Sequence, residues 1–173
     1  MASSNIKAFI EQLDWSESPL SGDYFYAGAN RRNTLDQLIH YCRFSEQLVV
    51  LSGDSGVGKT TLLDAAVAQL HPVMDCVRVP AATLLQAENP VASLSAALRL
   101  APASSSTRDF LSSLQALTDA STQSEPALVI IEQADSLSLS QLDTLVGLHQ
   151  LSRSYMHLLL SGEAPLLRRL EKN

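Results

Sequence analysis

A glycine-rich loop holds the residues of this sequence whose types and spacing best suit chemistry. Residues 53–60 read GDSGVGKT, which fits the phosphate-loop pattern G-x-x-x-x-G-K-[ST] at every fixed position. Glycines let the backbone curl with its N–H groups pointing inward, and a helix that follows adds unpaired N–H groups and the positive end of its dipole. The loop is therefore predicted to bind the phosphates of a nucleotide.

Each side chain of this loop has a predicted role. Lys59 bridges the outer phosphates, Thr60 supplies its hydroxyl to Mg²⁺, and Thr61 supports the loop beside the inner phosphate. The predicted nucleotide-binding residues are Gly53, Ser55, Gly56, Gly58, Lys59, Thr60 and Thr61. The chain has no N-K-x-D guanine motif downstream, which favours ATP over GTP.

A second candidate site follows the apolar segment 127–131, where ALVII ends in Glu132 and Gln133. Nucleotide hydrolases need a carboxylate at such a strand end for the Mg²⁺ shell, and many use a second one to activate water. Glu132 takes the position of the metal-binding carboxylate, so Thr60 and Glu132 are the predicted metal ligands. Gln133 takes the position of the general base, where an amide cannot accept a proton. Shifting the pattern by one residue puts Ile131 at the metal-binding position, so one carboxylate is missing in either alignment.

Nearby polar residues leave alternatives open. Asp135 either folds back as a substitute base or caps the following helix. Ser161 either contacts the γ-phosphate or its attacking water, or belongs to an ordinary strand-to-helix turn. Arg168 and Arg169 form either an arginine finger for a neighbouring subunit or a solvated helix face. The catalytic candidates are Glu132, Gln133 and Ser161.

Alternating strand and helix patterns surround these motifs. The predicted strands are 47–52, 75–79, 127–131 and 156–160, and the predicted helices are 3–13, 33–44, 60–70, 90–100, 108–120, 140–152 and 164–171. This alternation predicts an α/β fold with a doubly wound parallel sheet, and it places a ligand at the carboxyl ends of the strands. We divide the chain into an N-terminal helix and loop, 1–22, and a phosphate-loop core, 23–173. The aromatic residues 24–26 either wall an adenine or pack at the entry to the next helix.

Composition excludes some classes of partner. The chain has 173 residues, a formal net charge of −6 and scattered basic residues, which argues against nucleic acid. No apolar window approaches the ~18 to 20 residues of a membrane span, so the segment is expected to be cytoplasmic without membrane contact. Cys42 and Cys76 lack metal-type spacing and are expected to be buried reduced thiols.

Four segments together carry a resemblance to a known family. They are the lead-in SPLSGDYFYAGANRRNTLDQL, the loop LVVLSGDSGVGKTTLL, the acidic strand ALVIIEQADSL and the segment HLLLSGEAPLLRRL. From Ser18 to Leu170 the chain resembles the AAA+-type ATPase module of the ExeA/GspA group of secretion ATPases. Within that group it is most similar to the N-terminal domain of bacterial DamX-like cell-division proteins.

The resemblance implies a three-layer P-loop NTPase fold of the AAA+ (ASCE-like) type. It also implies a parent protein anchored in the bacterial inner membrane, with a periplasmic peptidoglycan-binding domain downstream, so that this segment is its cytoplasmic domain. By position Glu132 matches the metal-site acid, Gln133 departs from the family's glutamate, and Ser161 occupies the sensor place. Because the chain ends at Asn173, before any helical lid, the lid is expected to be missing.

Three functions agree with these residues and with the resemblance. The first is an ATP-binding regulatory or assembly module with impaired hydrolysis, which binds ATP, ADP and Mg²⁺ and contacts itself or a division or envelope protein. The second is an active ATPase that forms a ring and couples hydrolysis to a secretion or envelope-assembly partner. The third is an interaction module whose loop no longer binds nucleotide.

Overall fold

The computed structural model describes residues 29–87, 89–100, 106–120, 126–152 and 154–171. Strands and helices alternate along it. The strands are β1 (Val49–Ser52), β2 (Cys76–Pro80), β3 (Ala127–Glu132) and β4 (Met156–Gly162). The helices are α1 (Ala29–Phe44), α2 (Lys59–Leu70), α3 (Ala81–Leu85), α4 (Pro90–Ala97), α5 (Thr107–Ala120), α6 (Leu139–Ser152) and α7 (Pro165–Leu170), and a 3-10 turn lies at Ala134–Ser136.

The four strands form one parallel sheet in the order β1-β4-β3-β2. In this register Ser52 lies opposite Gly162, and Glu132 lies opposite both Ser161 and Pro80. The carboxyl ends of all four strands therefore meet at one edge, as parallel pairing requires. That edge brings the loop after β1 close to the acidic residues after β3.

Two apolar clusters cover the two faces of the sheet. Neighbouring residues of β3 point to opposite faces, so Ile130 packs with Leu35 of α1 and Leu63 of α2, while Ile131 packs with Leu94 of α4 and Leu142 of α6. Since side chains alternate along a strand, a run of apolar residues buried on both sides is typical of a central parallel strand. The predicted three-layer α/β fold with a parallel sheet is confirmed.

Several elements differ from those predicted. β4 continues two residues past Leu160 to Gly162, because its pairing with β1 and β3 continues there and every residue of the strand is buried. The short helix α3 after Pro80 was not predicted. The described part of α1 already begins at Ala29, before the predicted start at residue 33, because its polar first turn gave no apolar signal in the sequence. The predicted helix 3–13 and the aromatic residues 24–26 lie outside the described residues.

The two cysteines and the membrane expectation can also be compared with the structure. Both thiols are free, with Cys42 buried and Cys76 half-buried. Within the described parts of the chain, no helix has the length and apolar character needed to span a bilayer.

Candidate functional site

The loop between β1 and α2 has the curled backbone that its glycines predict. Gly56 has φ +78° and Gly58 has φ +89°, a left-handed conformation that glycine adopts readily. Helix α2 starts directly after Gly58, at Lys59, so its first N–H groups face the loop. The backbone therefore has the shape and polarity of an anion cradle.

Lys59 lies over this loop rather than in solvent. Its Nζ donates to the carbonyl oxygens of Gly53 at 2.7 Å and Asp54 at 2.8 Å. An ammonium group has three donors, so these two bonds leave one for a phosphate oxygen. Lys59 is thus held by its own loop in a position where it can meet a polyphosphate.

Arg31 of α1 supports the loop from its outer side, a contact that the sequence did not predict. Its Nη2 donates to the carbonyl of Val57 at 2.5 Å. A Cβ placed on Gly58 would lie only 2.6 Å from the same Nη2, so the guanidinium fills the space beside that glycine. The pair Arg31-Arg32 is visible in the sequence, but nothing in it indicates a partner 26 residues away.

The loop opens onto a cavity of about 630 Å³ at the carboxyl edge of the sheet. This volume falls within the ~300 to 1,000 Å³ of small-molecule sites. The predicted site residues in its wall are Ser55, Gly56, Gly58, Lys59, Thr60, Glu132, Gln133 and Ser161. Gly53 and Thr61 lie outside the wall, and the N–H of Gly53 instead donates to the carbonyl of Gly162 at 3.3 Å.

Glu132, the predicted metal ligand, is engaged by an arginine of the neighbouring strand. The Nε and Nη2 atoms of Arg78 donate to its two carboxylate oxygens at 2.8 and 2.9 Å. The remaining Nη1 of Arg78 donates to Asp64 of α2. The bond to Glu132 is the main reason that the pKa of Arg78 is raised above its ordinary value. Sequence reasoning missed Arg78, although an arginine within the strand CVRVP was a signal.

Gln133 follows β3 in a left-handed conformation, with φ +56° and ψ +38°. A residue with a Cβ adopts this conformation at a steric penalty. The carbonyl of Gln133 accepts from the N–H of Ser136 at 3.0 Å and from its hydroxyl at 2.7 Å, which holds the turn. The place of the predicted base therefore lies in the cavity wall and presents an amide.

The prediction that Asp135 caps the following helix is wrong. Its Oδ1 accepts from the N–H of Glu163, beyond β4, at 2.9 Å. The cap of α6 comes instead from Ser138 and Gln141, because the Ser138 hydroxyl accepts from the N–H of Gln141 and the Gln141 side chain accepts from the N–H of Ser138. Asp135 joins two loops of the cavity wall.

Ser161 and Arg169 complete this edge. Ser161 is buried and lies opposite Glu132 in the β3–β4 pair, in the wall of the cavity. Arg169 donates to the carbonyls of Asp135 and Leu137, so its guanidinium is used within the chain. The solvated face that was predicted is wrong for Arg169, which is half-buried, whereas Arg168 is exposed. The arginine finger stays a prediction.

The residues present fit nucleotide phosphates better than they fit Mg²⁺. The curled loop and Lys59 supply donors, and Gly56 borders open space. For the metal, the Thr60 side chain is exposed, but both oxygens of Glu132 already accept from Arg78. Among the described residues, no group of three His, Cys, Asp or Glu side chains could hold a metal ion alone. In phosphoryl-transfer sites such a metal supplies positive charge to the reacting phosphate.

Comparison with solved structures identifies proteins of the same fold. Cdc6p from Pyrobaculum aerophilum has a TM-score of 0.58 and 16% identity, over 83% of this chain and 42% of that chain. Drosophila ORC bound to DNA has a TM-score of 0.58 and 17% identity, over 95% and 42%. ORC2 from Aeropyrum pernix in ADPNP–ADP complexes has a TM-score of 0.50 and 19% identity, over 84% and 42%. The chain thus spans about two-fifths of the length of these proteins, and at this identity the likeness shows the fold alone.

Comparison with curated protein sequences gives no match. A family model for the AAA domain, AAA_22, matches residues 42–170, from the end of α1 to the end of α7. The match includes the phosphate loop, the acidic end of β3 and Ser161. Since it covers well over half of the sequence, the chain belongs to the AAA domain family.

Proposed function

We propose that this AAA domain binds ATP and hydrolyses it poorly, so that the bound nucleotide regulates assembly rather than driving rapid turnover. One observation carries the proposal. The same cavity joins a complete phosphate cradle, with Lys59 in place, to a β3 end that offers Gln133 where a base is needed. Binding and cleavage depend on different residues here, so one can be kept while the other is impaired.

The case for binding rests on the loop. Its backbone is already curled, and Lys59 and Arg31 hold it from both sides through Gly53, Asp54 and Val57. A preorganised site spends little free energy on ordering when a ligand binds. ATP and ADP are the proposed ligands, with Thr60 as the contact to Mg²⁺.

The case for weak hydrolysis rests on the residues available to act as the general base. An amide at Gln133 cannot accept a proton from water, and general-base assistance is typically worth ~10² to 10⁴ in rate. Asp135, which also lies in the cavity wall, is the alternative base, but its Oδ1 accepts from the N–H of Glu163, so only Oδ2 is left to take a proton from water. Ser161 remains the proposed sensor of the γ-phosphate or water.

The wider role follows the resemblance to the ExeA/GspA group and to DamX-like proteins. We infer a nucleotide-dependent assembly or regulatory module of a cell-division or envelope protein, with residues 23–173 as the core and a membrane-anchored parent. Self-association or docking of a protein partner would be the output. Although one solved structure of this fold is an ORC bound to DNA, the net charge of −6 argues against nucleic acid as the partner of this chain.

The test of binding is a thermal-shift series with Mg-ATP, Mg-ADP and Mg-GTP on the native chain, Lys59→Ala and the control Arg108→Ala, which lies exposed on α5. At a ligand concentration of ~100 times Kd, binding stabilises the fold by about 2.7 kcal/mol. We expect that stabilisation with ATP in the native chain and the control, and its loss in Lys59→Ala. If ATP stabilises none of the three, nucleotide binding is disproved and the loop serves only as structure.

The test of hydrolysis is phosphate release over a range of protein concentrations. We expect turnover near background at every concentration. Strong release that rises steeply with concentration would instead support the active ring ATPase, because an arginine finger from a neighbouring subunit requires assembly.

A further inference from the structure

We infer that Arg78 removes Glu132 from the metal site, so that this domain binds the nucleotide with little dependence on Mg²⁺. The inference rests on the proposed nucleotide binding and goes beyond it. It concerns the form in which the ligand is bound: the polyphosphate itself, held by the loop, rather than a metal–nucleotide complex held jointly by loop and carboxylate. Arg78 is here a positioning residue, because it acts through Glu132.

The geometry of the ion pair is the first support. The planar guanidinium presents Nε and Nη2 in parallel to the two oxygens of Glu132, at 2.8 and 2.9 Å. Such bidentate, charge-assisted pairs are among the strongest hydrogen bonds in proteins and fix orientation as well. Both side chains are partly shielded, at 31% exposure for Arg78 and 22% for Glu132, so water weakens the pair less than on an open surface.

The pairing of β2 with β3 places Arg78 and Glu132 close together. Arg78 lies opposite Ile130 in the β2–β3 register, two residues before Glu132 on the same strand. Residues two apart on a strand share a face, so both side chains project on the face that α2 covers. No loop movement is needed to bring them together.

The remaining donor of Arg78, Nη1, contacts a second carboxylate on the helix that carries Thr60. Its Nη1 donates to Asp64, which lies four residues after Thr60 and therefore on the same side of α2. One arginine thus engages two carboxylates, one in the cavity wall and one on the side of α2 that carries Thr60. A divalent cation would have to use the lone pairs of Glu132 that Arg78 leaves open and then lie next to a guanidinium charge.

The decisive experiment measures ATP affinity by isothermal titration calorimetry, in excess Mg²⁺ and in EDTA, for the native chain and its variants. In the native chain we expect the two dissociation constants to agree within about threefold. Glu132→Gln should leave the affinity for Mg-ATP within about threefold of the native value. A carboxylate that ligated the metal would instead lose about 10-fold or more on this change, as expected when a metal site is disturbed.

Removing the guanidinium of Arg78 should make the affinity for ATP depend on Mg²⁺. In Arg78→Gln the two carboxylates are released, and we expect Mg²⁺ to tighten ATP binding by at least tenfold. The double variant Arg78→Gln/Glu132→Gln should lose that gain, and Arg108→Gln, far from the cavity, should behave like the native chain. If Arg78→Gln does not fold, the Glu132→Gln comparison decides alone.

The inference is overturned if the native chain binds ATP at least tenfold more tightly with Mg²⁺ and Glu132→Gln abolishes the difference. A separate arm distinguishes this from failure of nucleotide binding itself. With MgCl₂ alone and no nucleotide, Arg78→Gln should gain a rise in Tm that the native chain lacks. If ATP does not bind under any condition but this rise appears, the proposed function fails while the role of Arg78 stands. If ATP does not bind and Arg78→Gln shows no rise in Tm with MgCl₂, both the proposed function and the role of Arg78 are disproved.

Discussion

Asp135 and Glu163 are joined across the edge of the sheet, because the Oδ1 of Asp135 accepts the backbone N–H of Glu163 at 2.9 Å. The bond links the turn after β3, which contains Gln133, to the turn after β4, which follows Ser161. Gly162 lies beneath it, where an added Cβ would come within 2.6 Å of the same carboxylate oxygen. The turns that follow β3 and β4, next to the catalytic candidates, are therefore joined to each other.

Asp135→Ala should destabilise the fold by about 0.5 to 1.5 kcal/mol, because it removes the acceptor of the exposed N–H of Glu163, which water can replace in part. Urea unfolding followed by circular dichroism measures the difference. Asp135→Asn, which keeps an oxygen acceptor, should lose less. Asp119→Ala, exposed on α5, is the control and should change stability by less than ~0.5 kcal/mol. Equal stability of the Asp135→Ala and Asp119→Ala proteins would show that this bond contributes nothing.

Gly58→Ala should destabilise the protein by about 1 to 3 kcal/mol and abolish ATP binding, since φ is +89° and the new Cβ would meet Arg31. The matched control is Gly147→Ala in α6, where a Cβ meets nothing within 4 Å. In a helix interior that change should stabilise by ~0.5 to 1 kcal/mol.

A double variant separates the two causes at Gly58. Arg31→Ala in the Gly58→Ala chain removes the steric contact but leaves the backbone strain, so stability should recover only in part. Thermal unfolding and ATP titration of the single and double variants measure both effects. Complete recovery would show that the contact alone matters, and no recovery would show that Arg31 moves aside freely.

Gln133→Glu should raise phosphate release, because it places a carboxylate at the position of the base in the cavity wall. General-base assistance of ~10² to 10⁴ sets the upper range of the gain. Gln133→Ala keeps no base and should stay at background, and Lys59→Ala added to Gln133→Glu should remove the gain. Equal turnover in Gln133→Glu and Gln133→Ala would mean that another step limits hydrolysis.

The parts of the fold and site that could be predicted are those determined by residues adjacent in the sequence. The phosphate loop is a local pattern, and the buried run of β3 marks a central strand without any knowledge of its partners. Both patterns depend on backbone conformation and on local burial, so they can be recognised in the sequence without knowledge of long-range contacts. Ser161 was also predicted at the right edge, because parallel strands place their carboxyl ends together.

The parts that could not be predicted depend on contacts across the chain. Arg78 and Glu132 are 54 residues apart, and no local rule pairs an arginine in one strand with an acid in the next. The same is true of Arg31 and Val57. The left-handed backbone of Gln133 is set by its turn with Ser136 rather than by its residue type. The sequence therefore indicated which groups lie at the site but missed the arginines that hold them.

The two thiols give a prediction for alkaline pH. Burial raises the pKa of Cys42 from 9.0 to about 12, and burial raises the pKa of Cys76 to about 11. The fold thus favours the neutral thiols, so their contribution is fully present below pH 9 and is lost as pH rises toward 12. We expect the free energy of unfolding, measured by urea titration under reducing conditions, to fall with pH above about 9. Cys42→Ala should lower stability at pH 8 through the cavity it leaves, but should flatten that fall more than Cys76→Ala does. A slope that is the same in all three proteins would show that groups other than these thiols control alkaline unfolding.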